Sequence, residues 1–245
     1  MKGVYLGIDL GTSAVKLLAV TRRGDIAGEA DESYPAIYPA GGMCEQSPYE
    51  WIAAISRAMR KLNLGKGDVL GIAVGGQMHG SVVLDGDGKS VRPCILWNDG
   101  RSHEETKYLN ETVGEEALVR MTGNIAFAGF TAPKLMWIKR NEPENFARIR
   151  KIMLPKDYVV YRLTGSFTTD MSDASGTLLY DVGRGEWSEE MCRICSVGRD
   201  MLPEVLRSYE IAGRLNEEGA ELLGLEDVQV VCARGLQASL VGQVL

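Results

Sequence analysis

The feature that most limits what this chain can fold into lies at its very start, where two strand-like runs are joined by too few residues for anything but a tight turn. Val4 to Ile8 and Val15 to Val20 are the two runs, and Asp9-Leu10-Gly11-Thr12-Ser13 stands between them. Parallel neighbours need a crossover of a dozen or more residues, so these runs must pair as an antiparallel hairpin. Arg22-Arg23-Gly24-Asp25 is the next turn signal and leads into a third strand around Ile26 to Glu32.

Helical periodicity follows. Ser47-Pro48-Tyr49-Glu50 reads as a helix start, with Ser47 as cap, Pro48 at the first helical position and Glu50 completing a capping box. Ile52, Ile55, Met59 and Leu62 then recur at helical spacing and predict one buried stripe, ended by Gly65-Lys66-Gly67. Asp68 to Val74 reads as a buried strand, and Ser81 to Leu84 as another that turns at Asp85-Gly86-Asp87-Gly88. Pro93 to Leu96 is a short apolar run ending in Trp97-Asn98-Asp99-Gly100. Ser102 to Arg148 is mostly helical, with breaks near Gly114 and from Thr122 to Gly129. Ile152 to Leu154 reads as a strand, Lys156 to Leu163 as a helix, and Ser166 to Leu179 as loop and strand. Val205 to Leu225 mixes a short strand with a Glu-rich helix, and Val228 to Cys232 is the last strand. The order β-β-β-α-β, followed by inserted helices, predicts an α/β domain with a mixed β-sheet flanked by helices, spanning residues 1–245 without a linker.

Composition narrows the partners. With 27 basic and 33 acidic residues the net charge is −6, which argues against a nucleic-acid partner. No apolar run approaches the ~20 residues of a membrane span, and the start MKGVYLGIDLG lacks the pattern of a signal peptide. A cytoplasmic protein is expected. Cys192 and Cys195 have CxxC spacing, but no second pair and neither of the two histidines, His79 and His103, completes a zinc site. They read as reduced thiols on a short helix beginning near Ser188.

The turn between the first strands also carries chemistry. Gly11 permits a positive φ and close approach of a ligand to the backbone. Successive amides with the hydroxyls of Thr12 and Ser13 can surround phosphate oxygens, and Asp9 can hold Mg²⁺ directly or through water. A plain hairpin turn fits the same residues, and no GxxxxGK[ST] loop is present.

Asp9-Leu10-Gly11-Thr12-Ser13 resembles the phosphate-binding hairpin of the superfamily that joins sugar kinases, actin and heat-shock chaperones, whose domains share an RNase H-like fold. Gly129-Phe130-Thr131-Ala132-Pro133-Lys134-Leu135-Met136-Trp137-Ile138-Lys139-Arg140-Asn141 resembles the signature of the FGGY carbohydrate kinases over its whole length. Further segments are similar to the xylulokinases within that family: Gly76-Gln77-Met78-His79-Gly80, Ile95 to Arg101, Leu154 to Tyr158, and Asp170 to Thr177. The resemblance implies an N-terminal, sugar-binding half, with the C-terminal nucleotide-binding domain absent from this chain. It implies D-xylulose as substrate and ATP with Mg²⁺ as cofactors, with Asp9, Gly11, Thr12 and Ser13 on the phosphate and metal side.

On the sugar side it implies Met78, His79, Trp97, Asp99, Arg101 and Gln237. From their chemistry alone, His79 and Trp97 suit packing as well as a sugar, and Asp99 and Arg101 could pair with each other and hold their loop. Trp137 reads as core, Asp157 as a helix cap, and Asp170 and Asp173 as loop architecture. The family closes this half with a Gly-rich turn and an Asp that acts as general base, followed by Asn or Gln. Here Gln237-Ala238-Ser239 agrees, but Leu236 stands where the Asp is expected. A lost base costs ~10²–10⁴-fold in rate, so the chain by itself is expected to be inactive. Other readings are a kinase of ribulose, gluconate or glycerol, a non-catalytic sugar-binding domain, and a chain whose stretch from Ala233 to Leu245 is truncated or altered. Loss of a second half would expose apolar surface, so a homodimer is a further expectation.

Overall fold

Across the first hairpin Val4 faces Thr21 and Leu10 faces Val15, in antiparallel register without a break. The computed structural model describes residues 2–232. β1 (Val4–Leu10), β2 (Ala14–Thr21) and β3 (Ile26–Ser33) make a meander, and the short β4 (Glu45–Gln46) leads into α1 (Pro48–Leu62). β5 (Val69–Gly76) then pairs parallel to β1. A more irregular, mostly helical stretch follows: β6 (Val82–Leu84), β7 (Cys94–Ile95), α2 (His103–Lys107), α3 (Glu115–Thr122), α4 (Thr131–Asn141), α5 (Pro143–Arg148) and β8 (Lys151–Met153). The chain continues with α6 (Pro155–Thr164), β9 (Thr168–Asp170), α7 (Met171–Ser175), β10 (Tyr180–Asp181), β11 (Glu186–Trp187) and α8 (Glu189–Cys195). β12 (Glu204–Leu206), β13 (Ile211–Arg214), α9 (Glu217–Leu223) and β14 (Gln229–Cys232) complete it.

The central sheet has the order β13-β14-β5-β1-β2-β3. β1, β5 and β14 run parallel, while β2, β3 and β13 run against their neighbours. This is the predicted mixed sheet. β5 sits in its middle and is buried at every position but Leu70, as its unbroken apolar run requires of an interior parallel strand. Parallel pairing brings the C-terminal ends of β1, β5 and β14 to one edge, where open α/β sheets hold their ligands.

α1 covers the sheet with Trp51, Ile52, Ala54, Ile55, Ala58, Met59 and Leu62, the predicted stripe widened by one residue on each turn. Each large side chain in it contributes about 1.5–3 kcal/mol of burial. The predicted capping box does not form. Pro48 is the first helical residue, but the Ser47 side chain makes no capping bond, and the helix ends at Asn63 in a left-handed conformation before Gly65 is reached. The apolar interior divides in two. One cluster lies between the sheet, α1 and α6; the other, with Leu109, Leu118, Leu135 and Ile138, fills the helical stretch. That stretch contains a π-helical segment, Tyr108–Gly114, which nothing in the residue pattern announces. All five cysteines are free and buried; Cys192 and Cys195 lie on α8, whose cap is Ser188 as predicted. After Ser166 the expected strand forms as β9, and a short helix that was not expected follows it, capped by the Asp170 side chain, which accepts from the amides of Ser172 and Asp173. No described helix is long and apolar enough to cross a membrane.

Candidate active site

At the end of β1 the chain turns through Gly11, Thr12 and Ser13. Gly11 does not adopt the positive φ expected of it; its need for glycine is steric, because a Cβ there would lie 2.8 Å from the Ala14 carbonyl oxygen. Among the described residues the amides of Thr12 and Ser13 donate to no group, so two adjacent N–H donors are left for a ligand. The turn is braced from behind by side chains that sequence reasoning missed. The Tyr34 hydroxyl donates to the Gly11 carbonyl, and Gln46 Nε2 donates to the Thr12 carbonyl at 2.6 Å. Gln46 Oε1 in turn accepts from Trp51 Nε1 and Gln77 Nε2, each at 3.0 Å. A Gln buried two residues before a helix carries no sequence signal of this kind, because its partners lie far along the chain.

Asp9 is exposed on the open face of the sheet, directly across from Lys16 in register. Partial burial raises its carboxyl above the usual range, and Lys16 opposes the shift. Burial, with the charge of Asp9 added, also pushes the Tyr34 hydroxyl up. Among the described residues no group of three His, Cys, Asp or Glu could enclose a metal.

The end of β5 lies against the end of β1. A Cβ on Gly76 would come within 2.5 Å of Leu10 Cβ, and Gln77 N donates to the Leu10 carbonyl at 2.7 Å. Met78 and His79 follow, both half-buried, and His79 takes a left-handed φ of 60°, uncommon for a residue with a side chain and typical of places where geometry is imposed. Gly176 makes room for the imidazole: a Cβ there would lie 2.1 Å from His79 Cε1. Burial and the charge of Lys134 lower the His79 pKa to about 4, with the nearby Gly176 backbone carbonyl, an acceptor for the protonated ring, opposing. The ring is neutral at ordinary pH, and its Nδ1 has no partner among the described residues.

Lys134 explains how the signature segment reaches this point. Its side chain is fully buried, and its ammonium donates to the carbonyls of His79 (3.2 Å), Phe130 (3.1 Å) and Gly129. The Thr131 hydroxyl donates to the same His79 carbonyl at 3.2 Å. The loop before α4 is thereby tied to the end of β5. On its other side the loop abuts the Trp97 turn, since a Cβ on Gly129 would lie 2.9 Å from the Trp97 carbonyl oxygen. Trp97 keeps 43% exposure and donates from Nε1 to the Thr12 hydroxyl at 3.1 Å. The Gly11–Ser13 turn, Trp97, His79 and the loop before α4 are therefore brought together through direct contacts.

Asp99 and Arg101 go elsewhere. Both are buried; Arg101 Nη2 lies 2.7 Å from Asp99 Oδ2 and its Nε donates to Asp99 Oδ1 at 2.9 Å. Arg101 also meets Glu45, which Arg92 shares, and Cys44 N donates to Asp99. This network holds the Trp97 loop, the structural alternative left open by the sequence, and engages both side chains with protein partners. Trp137 packs under the same guanidinium, 4.8 Å from ring centre to Arg101 Cζ. Asp157 reaches back to Leu154 N as a cap and also meets Lys156 Nζ at 2.6 Å. Gln237 and Leu236, with Ala233 to Leu245 as a whole, lie outside the described residues.

The family model of the FGGY carbohydrate kinases, N-terminal domain, matches residues 4–242. A xylulose kinase of Escherichia coli (strain K12) is 41% identical over 238 residues, covering 96% of this chain and 49% of the relative. Among solved structures, a xyloylose kinase from Brucella ovis has a TM-score of 0.86 and 40% identity over 95% of this chain and 48% of its own. A gluconate kinase from Lactobacillus acidophilus superimposes as well, at a TM-score of 0.89 over 96% of this chain and 48% of its own, but at 23% identity it speaks for the fold alone. The chain spans about half the length of the curated relatives it matches.

Proposed function

This chain belongs to the FGGY family of carbohydrate kinases, and from that premise we propose that it is the sugar-binding half of an ATP-dependent D-xylulose kinase. The observation that carries the reading is the junction itself: a turn with two undirected amides hydrogen-bonded through Thr12 to Trp97, next to a strand end that presents Met78 and His79. In this reading the Thr12 and Ser13 amides and hydroxyls receive phosphate oxygens. Asp9 receives the Mg²⁺ that accompanies ATP, and the ion supplies charge neutralisation to the phosphates. Met78 and neutral His79 hold the sugar, with Trp97 closing the wall toward the phosphate turn; Gln237, outside the described residues, is the further group the family resemblance implies. Asp99 and Arg101 position Trp97 and do not touch the sugar.

Transfer of a phosphoryl group from ATP to a sugar hydroxyl rests on positioning and charge stabilisation across a cleft, and this chain supplies one side of it. With Leu236 at the place the family gives to its base, the chain alone binds sugar and does not turn over. Purified chain with ATP, Mg²⁺ and D-xylulose should give no xylulose 5-phosphate above blank, while D-xylulose raises its melting temperature and His79→Ala abolishes that rise. Product formed by the chain alone would overturn the inactive reading. A melting temperature indifferent to D-xylulose would overturn the sugar site.

A further inference from the structure

Phe127 precedes the lysine-clamped loop and is 54% exposed, an unusual state for a phenylalanine that has a packed neighbour within reach. Its ring stands edge-on to Phe130, with centroids 5.4 Å apart, and Phe130 in turn lies 4.9 Å from the His79 ring. The Ser102 hydroxyl donates to the Ala128 carbonyl at 3.1 Å, and the Asn110 side chain donates to the Ala126 carbonyl at 3.0 Å and accepts from Ala126 N at 2.9 Å. Phe127 is thus an exposed aromatic on a backbone pinned at both neighbours.

The charged groups around it are already engaged. Lys134 faces three carbonyls, and Arg92 and Arg101 are held by Glu45, Glu142 and Asp99. His79 is neutral, and Lys16 lies across from Asp9 on the phosphate side. Among the described residues, the sugar side of the junction offers aromatic faces and hydrogen-bonding groups without a cation to meet a carboxylate.

We propose that Phe127 contacts the substrate, forming with Trp97 the apolar walls that seat the carbon chain of an uncharged, five-carbon open-chain sugar, and that it sets specificity against shorter polyols and sugar acids. The proposal rests on the sugar site assigned above. C–H groups of the sugar chain meet the two aromatic faces while its hydroxyls turn to His79 and the polar edge; a three-carbon polyol is too short to reach Phe127, and a carboxylate finds Lys134, Arg92 and Arg101 already engaged by protein groups.

The test is calorimetric titration of the purified chain with D-xylulose, glycerol and D-gluconate, in the parent and in Phe127→Ala, Phe127→Leu and His79→Ala. Phe127→Ala should weaken D-xylulose about tenfold, leave glycerol within about twofold, and leave the melting temperature of the free chain unchanged, because the ring is exposed. Phe127→Leu should recover part of the loss, and D-gluconate should bind at least tenfold more weakly than D-xylulose. If His79→Ala abolishes D-xylulose binding but Phe127→Ala does not alter it, the role of Phe127 is refuted and the sugar site stands. If Phe127→Ala weakens glycerol as much as D-xylulose, or D-gluconate binds as tightly as D-xylulose, the specificity claim is refuted. If the parent binds no D-xylulose, or binds it equally well without His79, the site and the proposal fall together.

Discussion

Lys134 and Lys156 are both fully buried, yet they live in opposite surroundings. Lys134 has carbonyl dipoles about it and, among the described residues, no counter-ion in contact, and burial pulls its pKa to about 7, with Cys94 and Asp99 opposing. At Lys156 burial pulls the same way, but Asp157, Cys232, Asp170 and Asp173 outweigh it and hold the pKa well above the usual value. Its ammonium lies 2.6 Å from Asp157, 2.9 Å from Asp170 and 3.4 Å from Asp173. One lysine fastens loops through neutral backbone; the other fastens α6, β9 and α7 through formal charge and reaches the end of β14 by a hydrogen bond to the Cys232 sulfur. Dipoles leave little behind when the cation is removed, whereas carboxylates leave uncompensated buried charge.

That difference should appear first in stability. Lys156→Met leaves the Asp157 and Asp170 carboxylates buried without their ammonium and should cost about 3–5 kcal/mol in urea unfolding. Lys134→Met removes hydrogen bonds from three carbonyls and should cost about 1–3 kcal/mol. Equal losses would erase the contrast.

The pH dependence sharpens it further. The folded pKa of Lys134 lies below its unfolded value of 10.5, so its contribution is full above pH 10.5 and is lost as pH falls toward about 7. The parent should therefore gain stability between pH 7 and 10 relative to Lys134→Met, by at most about 1.4 kcal/mol per pH unit. Lys156 has the opposite sign: its contribution is complete below pH 10.5 and fades only at more alkaline pH. Urea midpoints at pH 7 and 10 for the parent and both variants measure this directly.

The smallest effect belongs to His79, whose carbonyl Lys134 holds. Its folded pKa of about 4 lies below the unfolded 6.5, so stability should fall as pH drops from 6.5 toward 4. His79→Gln should remove that part of the acid slope, and a ring titrating near 6.5 by NMR would contradict the burial argument.

The same contrast marks what the residue order could reveal. The hairpin, the buried run of β5 and the stripe of α1 were legible because turn length and periodicity are local. Trp97 and His79 were singled out through short segments, and the structure places both beside the loop that precedes α4. The lysines were not legible as buried groups, because a lysine reads as exposed and carbonyl acceptors carry no residue signature. Asp99 and Arg101 misled as ligand groups because Glu45, which completes their network, lies on β4, far back in the chain. Ser47 fits a capping pattern whose hydrogen bond the backbone geometry does not make.

Gln46 is buried at the point where three parts of the junction meet. One amide group joins the backbone of the hairpin turn, the indole of α1 and the residue immediately before Met78. Shifting the turn by the width of a hydrogen bond must either break that joint or drag the strand tip along with it. The gap between the two halves of the junction is thus a built-in dimension of the free domain, set before any small molecule arrives.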